Sequence, residues 1–249
     1  GQLKKLDFLI AGVLLIIPVG LIARQPDLGT ALLVVASGIY VLYFAGLSWK
    51  LIIPVVVLGL IGIISLITFE STICQHDVSW VILHDYQKHR VCTLLDPSTD
   101  PLGKGFHTLQ AMIAIGSGGT HGKGWMQGTQ THLEFLPEKH TDFIFAVFSE
   151  EFGLIGNIIL LILYLMLVWR GLAIAQQAGT LFSRLLAGSI AMIFFTYAFV
   201  NMGMVSGVLP VVGVPLPFMS YGGTALVTQG IGIGILLSIA RQRHRLQQR

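Results

Sequence analysis

The stretch FIFAVFSEEFGLIGNIILLILYLMLVW, residues Phe143–Trp169, decides the fold class of this chain. Its part from Phe152 to Trp169 carries no charge and would extend about 27 Å as an α-helix, close to the ~30 Å hydrocarbon thickness of a bilayer. The apolar residues are continuous rather than alternating, which indicates a membrane helix and not a barrel strand. Asp142, Glu150 and Glu151 stand at its start, and carboxylates near hydrocarbon are costly.

The rest of the chain has the same character. Of 249 residues, 54% are hydrophobic and 11% charged, whereas soluble domains contain about 25% charged residues. Six apolar stretches approach the ~20 residues that a membrane helix needs: Leu6–Ala23, Leu28–Leu47, Leu51–Phe69, Phe143–Trp169, Leu185–Val205 and Thr224–Ala240. The predicted fold is therefore all-α, a polytopic membrane protein with six transmembrane helices.

The spans predict one integrated membrane domain. Residues 1–69 contain three spans, residues 70–142 form a large structured outer loop, and residues 143–249 contain three spans and a basic tail. In the loop, the apolar run around His107–Ile115 is too short to span, so we expect it on the membrane surface. The proline- and glycine-rich segment Ser206–Gly223 is too apolar for a solvated loop, and its prolines exclude a regular span. It is predicted to be re-entrant.

The basic residues predict the orientation. Those flanking the spans cluster on the side of both termini, where the positive-inside rule places the cytoplasm: Lys4, Lys5, Lys50, Arg170, Arg184, Arg241, Arg243, Arg245 and Arg249. The long loop then faces outward. The net charge of +3 is too small to indicate nucleic-acid binding. The chain begins with Gly1, which suggests a fragment or a processed product.

Several polar patterns in the loop match no standard motif. The stretch GSGGTHGKG (116–124) lacks the Gly and the Ser or Thr that a Walker loop needs at Ser117 and Gly124, so turns that let the backbone approach a membrane or a ligand are favoured. A second group could bind a divalent cation, but its spacing matches no closed metal site; it comprises His132, Glu134, Glu138, His140 and Asp142. Cys74 and Cys92 form no metal or redox motif, and their spacing leaves open whether they pair.

Asp142 has two interpretations from the residues alone. Since it lies where the outer loop meets the bilayer, it can face an enclosed cavity, and the helix dipole would keep it ionised and usable as a base. Equally, Thr141 or Asp142 can serve simply as a helix N-cap.

Five stretches carry a resemblance to a known family: QPDLGT (25–30), DPSTDPLGKG (96–105), IAIGSGG (113–119), LPEKHTDFIFAVFSEEFG (136–153) and GVLPVVGVPLPFMSYGG (207–223). They resemble the SEDS family of shape, elongation, division and sporulation proteins, the RodA/FtsW family. The chain is more similar to the elongation branch, because Val212 stands where division members commonly have Lys. The family has about ten spans, so the six here correspond to its last six.

The resemblance implies a peptidoglycan glycosyltransferase that polymerises lipid II on the outer face of the bacterial cytoplasmic membrane during cell elongation. The family's essential aspartate falls on Asp142, implying a general base, and Glu134 falls on a regulatory position. Candidate substrate-binding residues are Arg90, Lys123, Lys139, His140, Ser220 and Tyr221. No cofactor is certain, although a divalent cation could stabilise the leaving diphosphate.

The implied partners are lipid II, the nascent glycan strand, a class B penicillin-binding protein and other elongation-complex membrane proteins. Two alternatives remain open at this point. Intramembrane acids and a broken apolar segment also fit a lipid II flippase. A non-catalytic scaffold for the penicillin-binding protein would tolerate loss of Asp142.

Overall fold

A computed structural model describes residues 5–25, 27–68, 74, 88, 92–94, 104–129 and 138–247. The regular elements within these ranges include seven helices: α1 (Lys5–Ala23), α2 (Leu28–Phe44), α3 (Trp49–Thr68), α4 (Lys104–Ser117), α5 (Ile144–Gln176), α6 (Leu181–Val205) and α7 (Gly223–Gln247). The all-α prediction is confirmed.

Six of these helices occupy the positions of the six predicted spans. Four are long and apolar enough to cross a membrane, namely α1, α5, α6 and α7, while α2 contributes a shorter apolar run. Large aliphatic side chains on their surfaces are exposed, among them Leu14 at 65% and Leu163 at 56%. A water-soluble fold would bury such continuous apolar faces, so the chain is an integral membrane protein.

Helix α5 is at the centre of the packing. It packs against α6 and α4. Helix α6 also packs against α2, and α2 packs against α1. A buried cluster joins the start of α5 (Phe143 and Phe145) to the end of α6 (Met204) and to the proline-rich segment through Val214 and Leu216. The segment is thus part of the core at this end of the helices.

Each of three helices anchors the proline-rich segment through one side chain. Tyr164 of α5 donates a hydrogen bond to the carbonyl of Pro217 at 2.6 Å. Asn201 of α6 donates to the carbonyl of Val214 at 2.7 Å. Gln229 of α7 accepts from the amide of Phe218 at 3.0 Å. These contacts supply partners for a backbone that forms no regular helix, as apolar surroundings require.

The predicted surface run around His107–Ile115 is helical and belongs to α4. Ala111 and Ala114 are fully buried, and α4 packs against α5. Its location on a membrane surface stays a prediction.

The structure answers the question left open for the cysteines. Cys74 and Cys92 form a disulfide, with their Cα atoms 5.7 Å apart. The bond joins positions 18 residues apart in the region predicted to be the outer loop.

Candidate active site

Asp142 lies in a turn that directly precedes α5. The amides of Thr141 and Phe143 both donate to the carbonyl of Glu138, at 3.1 and 3.2 Å. Phe143 occupies the N-cap position and makes no side-chain capping bond. Neither Thr141 nor Asp142 is therefore the N-cap of α5, and this simple structural interpretation of Asp142 is wrong.

The backbone of this turn is held by three protein donors. The carbonyl of His140 accepts from the amide of Tyr221 at 2.8 Å. The carbonyl of Thr141 accepts from the hydroxyl of Ser220 at 2.7 Å. The carbonyl of Asp142 accepts from the side-chain amide of Asn201 at 2.9 Å. Three successive carbonyls are thus bound by α6 and the proline-rich segment, and these bonds restrain the position of the turn.

Asn201 is fully buried and links these elements through its side-chain amide. Its side-chain nitrogen donates to the carbonyl of Asp142 and also to the carbonyl of Val214. A buried amide without partners is costly, so an Asn within an otherwise apolar span is itself a sequence signal for a polar contact. Sequence reasoning missed Asn201, although this signal was present.

The carboxylate of Asp142 lies against Gly213 of the proline-rich segment. Asp142 is half-buried, and a Cβ atom added to Gly213 would be 3.2 Å from Asp142 Oδ2. Gly213 also has a positive φ of 71°, which L-residues with side chains rarely adopt. Glycine therefore brings the segment's backbone close to the carboxylate.

The structure gives different surroundings to the other predicted substrate-binding residues. The hydroxyl of Ser220 is engaged on both sides, since it also accepts from the amide of Leu216 at 2.7 Å. The side chain of Tyr221 is 81% exposed, and His140 is exposed beside Asp142. Lys139 is half-buried in the same turn.

The remaining predicted residues do not gather around Asp142 in the described part of the chain. Lys123 forms an ion pair with Glu150, with Nζ 2.6 Å from Oε1. Arg90 and Glu134 lie outside the described residues.

The predicted cation cluster gains no support from the described ranges. Within them, no group of three His, Cys, Asp or Glu side chains comes together. Two members of that cluster, His132 and Glu134, lie outside these ranges.

The two glutamates after Asp142 are buried and not at a polar surface. Glu150 is fully buried and Glu151 is 8% exposed. A buried carboxylate needs a partner, and Lys123 supplies this partner to Glu150 by the ion pair.

The glycine-rich stretch bonds to the backbone of α5. The amides of Lys123 and Gly124 donate to the carbonyls of Glu150 and Glu151, both at 3.0 Å. Added Cβ atoms at Gly118 and Gly122 would be 2.1 Å from carbonyl oxygens of α5. These glycines do permit close backbone approach, but the group that they approach is a helix of the same chain and not the membrane or ligand that was expected.

Comparison with known proteins adds the last observations. Residues 2–245 match the family model of the FtsW, RodA and SpoVE proteins, described as cell cycle proteins. The chain is 54% identical over 239 residues to the peptidoglycan glycosyltransferase MrdB of Escherichia coli K12, covering 96% of this chain and 61% of that protein. The chain thus spans about three fifths of that relative's length.

Two solved structures share the fold. One is a chain from a structure of a peptidoglycan synthase complex that describes the structural coordination of polymerization and crosslinking. It has a TM-score of 0.72 and 32% sequence identity, and the match covers 96% of this chain and 63% of that one. The other is the rod shape determining protein RodA of Thermus thermophilus, with a TM-score of 0.58 and 27% identity, covering 98% and 59%.

Proposed function

The chain belongs to the FtsW/RodA/SpoVE family, and from this premise we propose that it acts as a peptidoglycan glycosyltransferase in cell elongation. Its substrate is lipid II, which it polymerises on the outer face of the cytoplasmic membrane. The observation that carries the proposal is the bracing of three successive carbonyls, His140 to Asp142, by Tyr221, Ser220 and Asn201. A catalytic carboxylate needs such rigid placement.

Asp142 is the general base in this proposal. Its carboxylate accepts the proton of the acceptor sugar hydroxyl while that oxygen attacks the anomeric carbon of the lipid-linked donor. The new glycosidic bond forms with inversion as the bond to the lipid diphosphate breaks, and the diphosphate departs with the electron pair. Asp142 is half-buried, so it combines access to substrate with partial shielding from water.

The leaving diphosphate needs positive charge. Lys139, three positions before Asp142 in the same turn, is one candidate, and Arg90, which lies outside the described residues, is another. Lys123 is less suited, because Glu150 already balances its charge.

The membrane arrangement follows from the charge pattern. Both ends of the chain lie in the cytoplasm, residues 70–142 lie outside, and the spans of residues 1–69 and 143–249 form one integrated domain. A class B penicillin-binding protein is the proposed partner. One structural relative comes from a complex that couples polymerization to crosslinking, which supports this choice.

The test uses the protein in liposomes with fluorescently labelled lipid II. Polymer formation and transfer of the label across the bilayer are recorded for the wild type and for Asp142→Ala. Polymer from the wild type and none from the variant is the expected result. Label transfer without polymer in the wild type would instead identify a transporter, and equal polymer from both proteins would remove Asp142 from the chemistry.

A further inference from the structure

A buried polar cluster around Glu150 lies outside the chemistry assigned to Asp142. Glu150 Oε1 accepts hydrogen bonds from Lys123 Nζ at 2.6 Å and from Thr129 Oγ1 at 3.0 Å, and Ser117 Oγ, which shares its proton with the carbonyl of Ala114, lies 3.4 Å from it. Lys123 Nζ also donates to Thr129 Oγ1 at 2.7 Å. We call Glu150, Lys123, Thr129 and Ser117 the Glu150 cluster. Its donors all come from the end of α4 and from the loop that follows it.

The Glu150 cluster is too distant from Asp142 to act on the reacting atoms. Glu150 is six positions beyond Ile144, which corresponds to about 9 Å along the helix axis, and Asp142 lies two residues before Ile144. Two of the three donor positions of the Lys123 ammonium are occupied by Glu150 and Thr129. A role in binding the leaving group is therefore disfavoured, and a structural connection to Asp142 must be sought.

That connection is the kink in α5. Gly153 has φ 64° and ψ −162°, a non-helical conformation inside the helix that is essentially restricted to glycine. The short part of α5 that begins next to Asp142 and ends at Phe152 is thereby separated from the long part after Gly153. The regular helical backbone is interrupted at this point, so the angle between the two parts needs another support.

The loop after α4 supplies this support by bonding to both sides of the kink. Before the kink, the carbonyls of Glu150 and Glu151 accept from the loop amides. After it, the amides of Leu154 and Ile155 donate to the carbonyls of Gly119 and Thr120, at 2.9 and 3.1 Å. The loop thus connects the two parts of α5 and supports the angle between them. The side chains of the Glu150 cluster bind this loop to the part of α5 that begins beside Asp142.

A small change in this angle would displace Asp142 appreciably. From Gly153 to Ile144, the first helical residue after the Asp142 turn, the lever is about 14 Å long, so a tilt of about 4° moves that end of α5 by roughly 1 Å. A misplacement of that size can lower the rate of an enzymatic step about 100-fold. Since Glu150 is fully buried and Lys123 only 27% exposed, solvent screens their attraction poorly.

We propose that the Glu150 cluster is a positioning unit for glycosyl transfer, which holds the first part of α5 at the angle that places Asp142 for catalysis. This inference rests on the proposed function, because it concerns the rate of that reaction. Lys123 and Glu150 are accordingly positioning residues and do not contact the substrate.

The test separates positioning from folding by removing the ion pair completely. Replacing both members of a buried pair by apolar residues is often neutral for stability, whereas removing one member leaves a buried charge alone. The double variant Lys123→Met/Glu150→Leu is therefore compared with the wild type in liposomes containing labelled lipid II. The measurements are kcat, the KM for lipid II, and the midpoint of thermal unfolding. Leu236→Ala on α7 changes a separate buried cluster formed by α5, α6 and α7, and it controls for a general loss of stability.

The expected result is a double variant that unfolds near the wild-type temperature, with kcat reduced 10- to 100-fold and KM changed less than about twofold. A folded double variant with wild-type kcat, or an equal kcat loss in Leu236→Ala, would overturn the positioning role. A wild type that makes no polymer would instead overturn the proposed function. If the double variant does not fold, the kcat of Lys123→Arg is compared with that of Lys123→Met. The arginine keeps the positive charge beside Glu150, so the positioning role predicts a higher kcat for Lys123→Arg. An Arg variant that folds but is no faster would also overturn the proposal.

Discussion

The substitution Asn201→Ala removes the side chain that joins Asp142 to the proline-rich segment. Asn201 is fully buried and donates to the carbonyls of Asp142 and Val214, at 2.9 and 2.7 Å. Both hydrogen bonds are lost in the variant, while the turn retains its bonds from Ser220 and Tyr221. The turn should therefore persist with a looser position for Asp142.

The two lost hydrogen bonds set the expected magnitude. Each contributes about 0.5–1.5 kcal/mol net to folding, and hydrogen bonds between membrane helices average about 0.6 kcal/mol. We expect the variant to lose about 1–3 kcal/mol of stability, which corresponds to a fall in Tm of several degrees. Loss of placement should lower kcat at least about tenfold, with little change in the KM for lipid II.

The assay measures initial rates of glycan polymerisation in liposomes and thermal unfolding of the same preparations. Thr228→Ala is the control. Its hydroxyl donates within α7, to the carbonyls of Thr224 and Ala225, so the substitution removes a hydrogen-bonding side chain and leaves the Asp142 turn and α5 unchanged. Wild-type kcat in Asn201→Ala, or an equal loss in Thr228→Ala, would refute the bracing of Asp142 through Asn201.

Three further predictions concern the surroundings of this turn. Gly213→Ala should lower kcat at least tenfold, because the added Cβ would lie 3.2 Å from Asp142 Oδ2 at a residue with a positive φ. Gly234→Ala, whose added Cβ meets open space, is the control, and equal kcat values in the two variants would contradict the expectation. Cys74 and Cys92 should resist a thiol-reactive polymer until reductant is added, and Cys74→Ser/Cys92→Ser should lose about 3 kcal/mol of stability; labelling without reductant would disprove the bond. Single cysteines across Val208–Gly223, introduced into that cysteine-free variant, should react unevenly with a membrane-impermeant reagent and more slowly with lipid II present, whereas uniform, rapid, unprotected labelling would show an ordinary exposed loop.

Much of the fold could be predicted from the sequence because hydropathy is a local property. The predicted span Phe143–Trp169 corresponds to the observed helix Ile144–Gln176, and Leu185–Val205 corresponds to Leu181–Val205. The helix continues beyond Trp169 because its hydrogen bonds do not depend on apolar side chains. The break in the proline-rich segment was equally predictable, since proline cannot donate a backbone hydrogen bond.

The arrangement of the site could not be predicted in the same way. Lys123 and Glu150 are 27 positions apart and Asn201 and Asp142 are 59 apart, and no local pattern records such pairs. Lys123 was predicted to bind substrate because the sequence gives the charge of a lysine in an outer loop but not its partner, which in the structure is Glu150. The kink at Gly153 was also missed, since a glycine inside an apolar run is common in membrane helices and gives no sign of the loop that bonds there.

The most direct test of the central claim is the kcat of Asp142→Asn for polymerisation of labelled lipid II in liposomes. Asparagine keeps the shape of the side chain but cannot take up the proton of the acceptor hydroxyl. Since general-base catalysis contributes about 10²- to 10⁴-fold, we predict a loss of at least 100-fold, while Asp7→Asn, an exposed carboxylate in the first turn of α1, keeps the wild-type rate. An Asp142→Asn protein that polymerises lipid II within tenfold of the wild-type rate would contradict the assignment of Asp142 as the base.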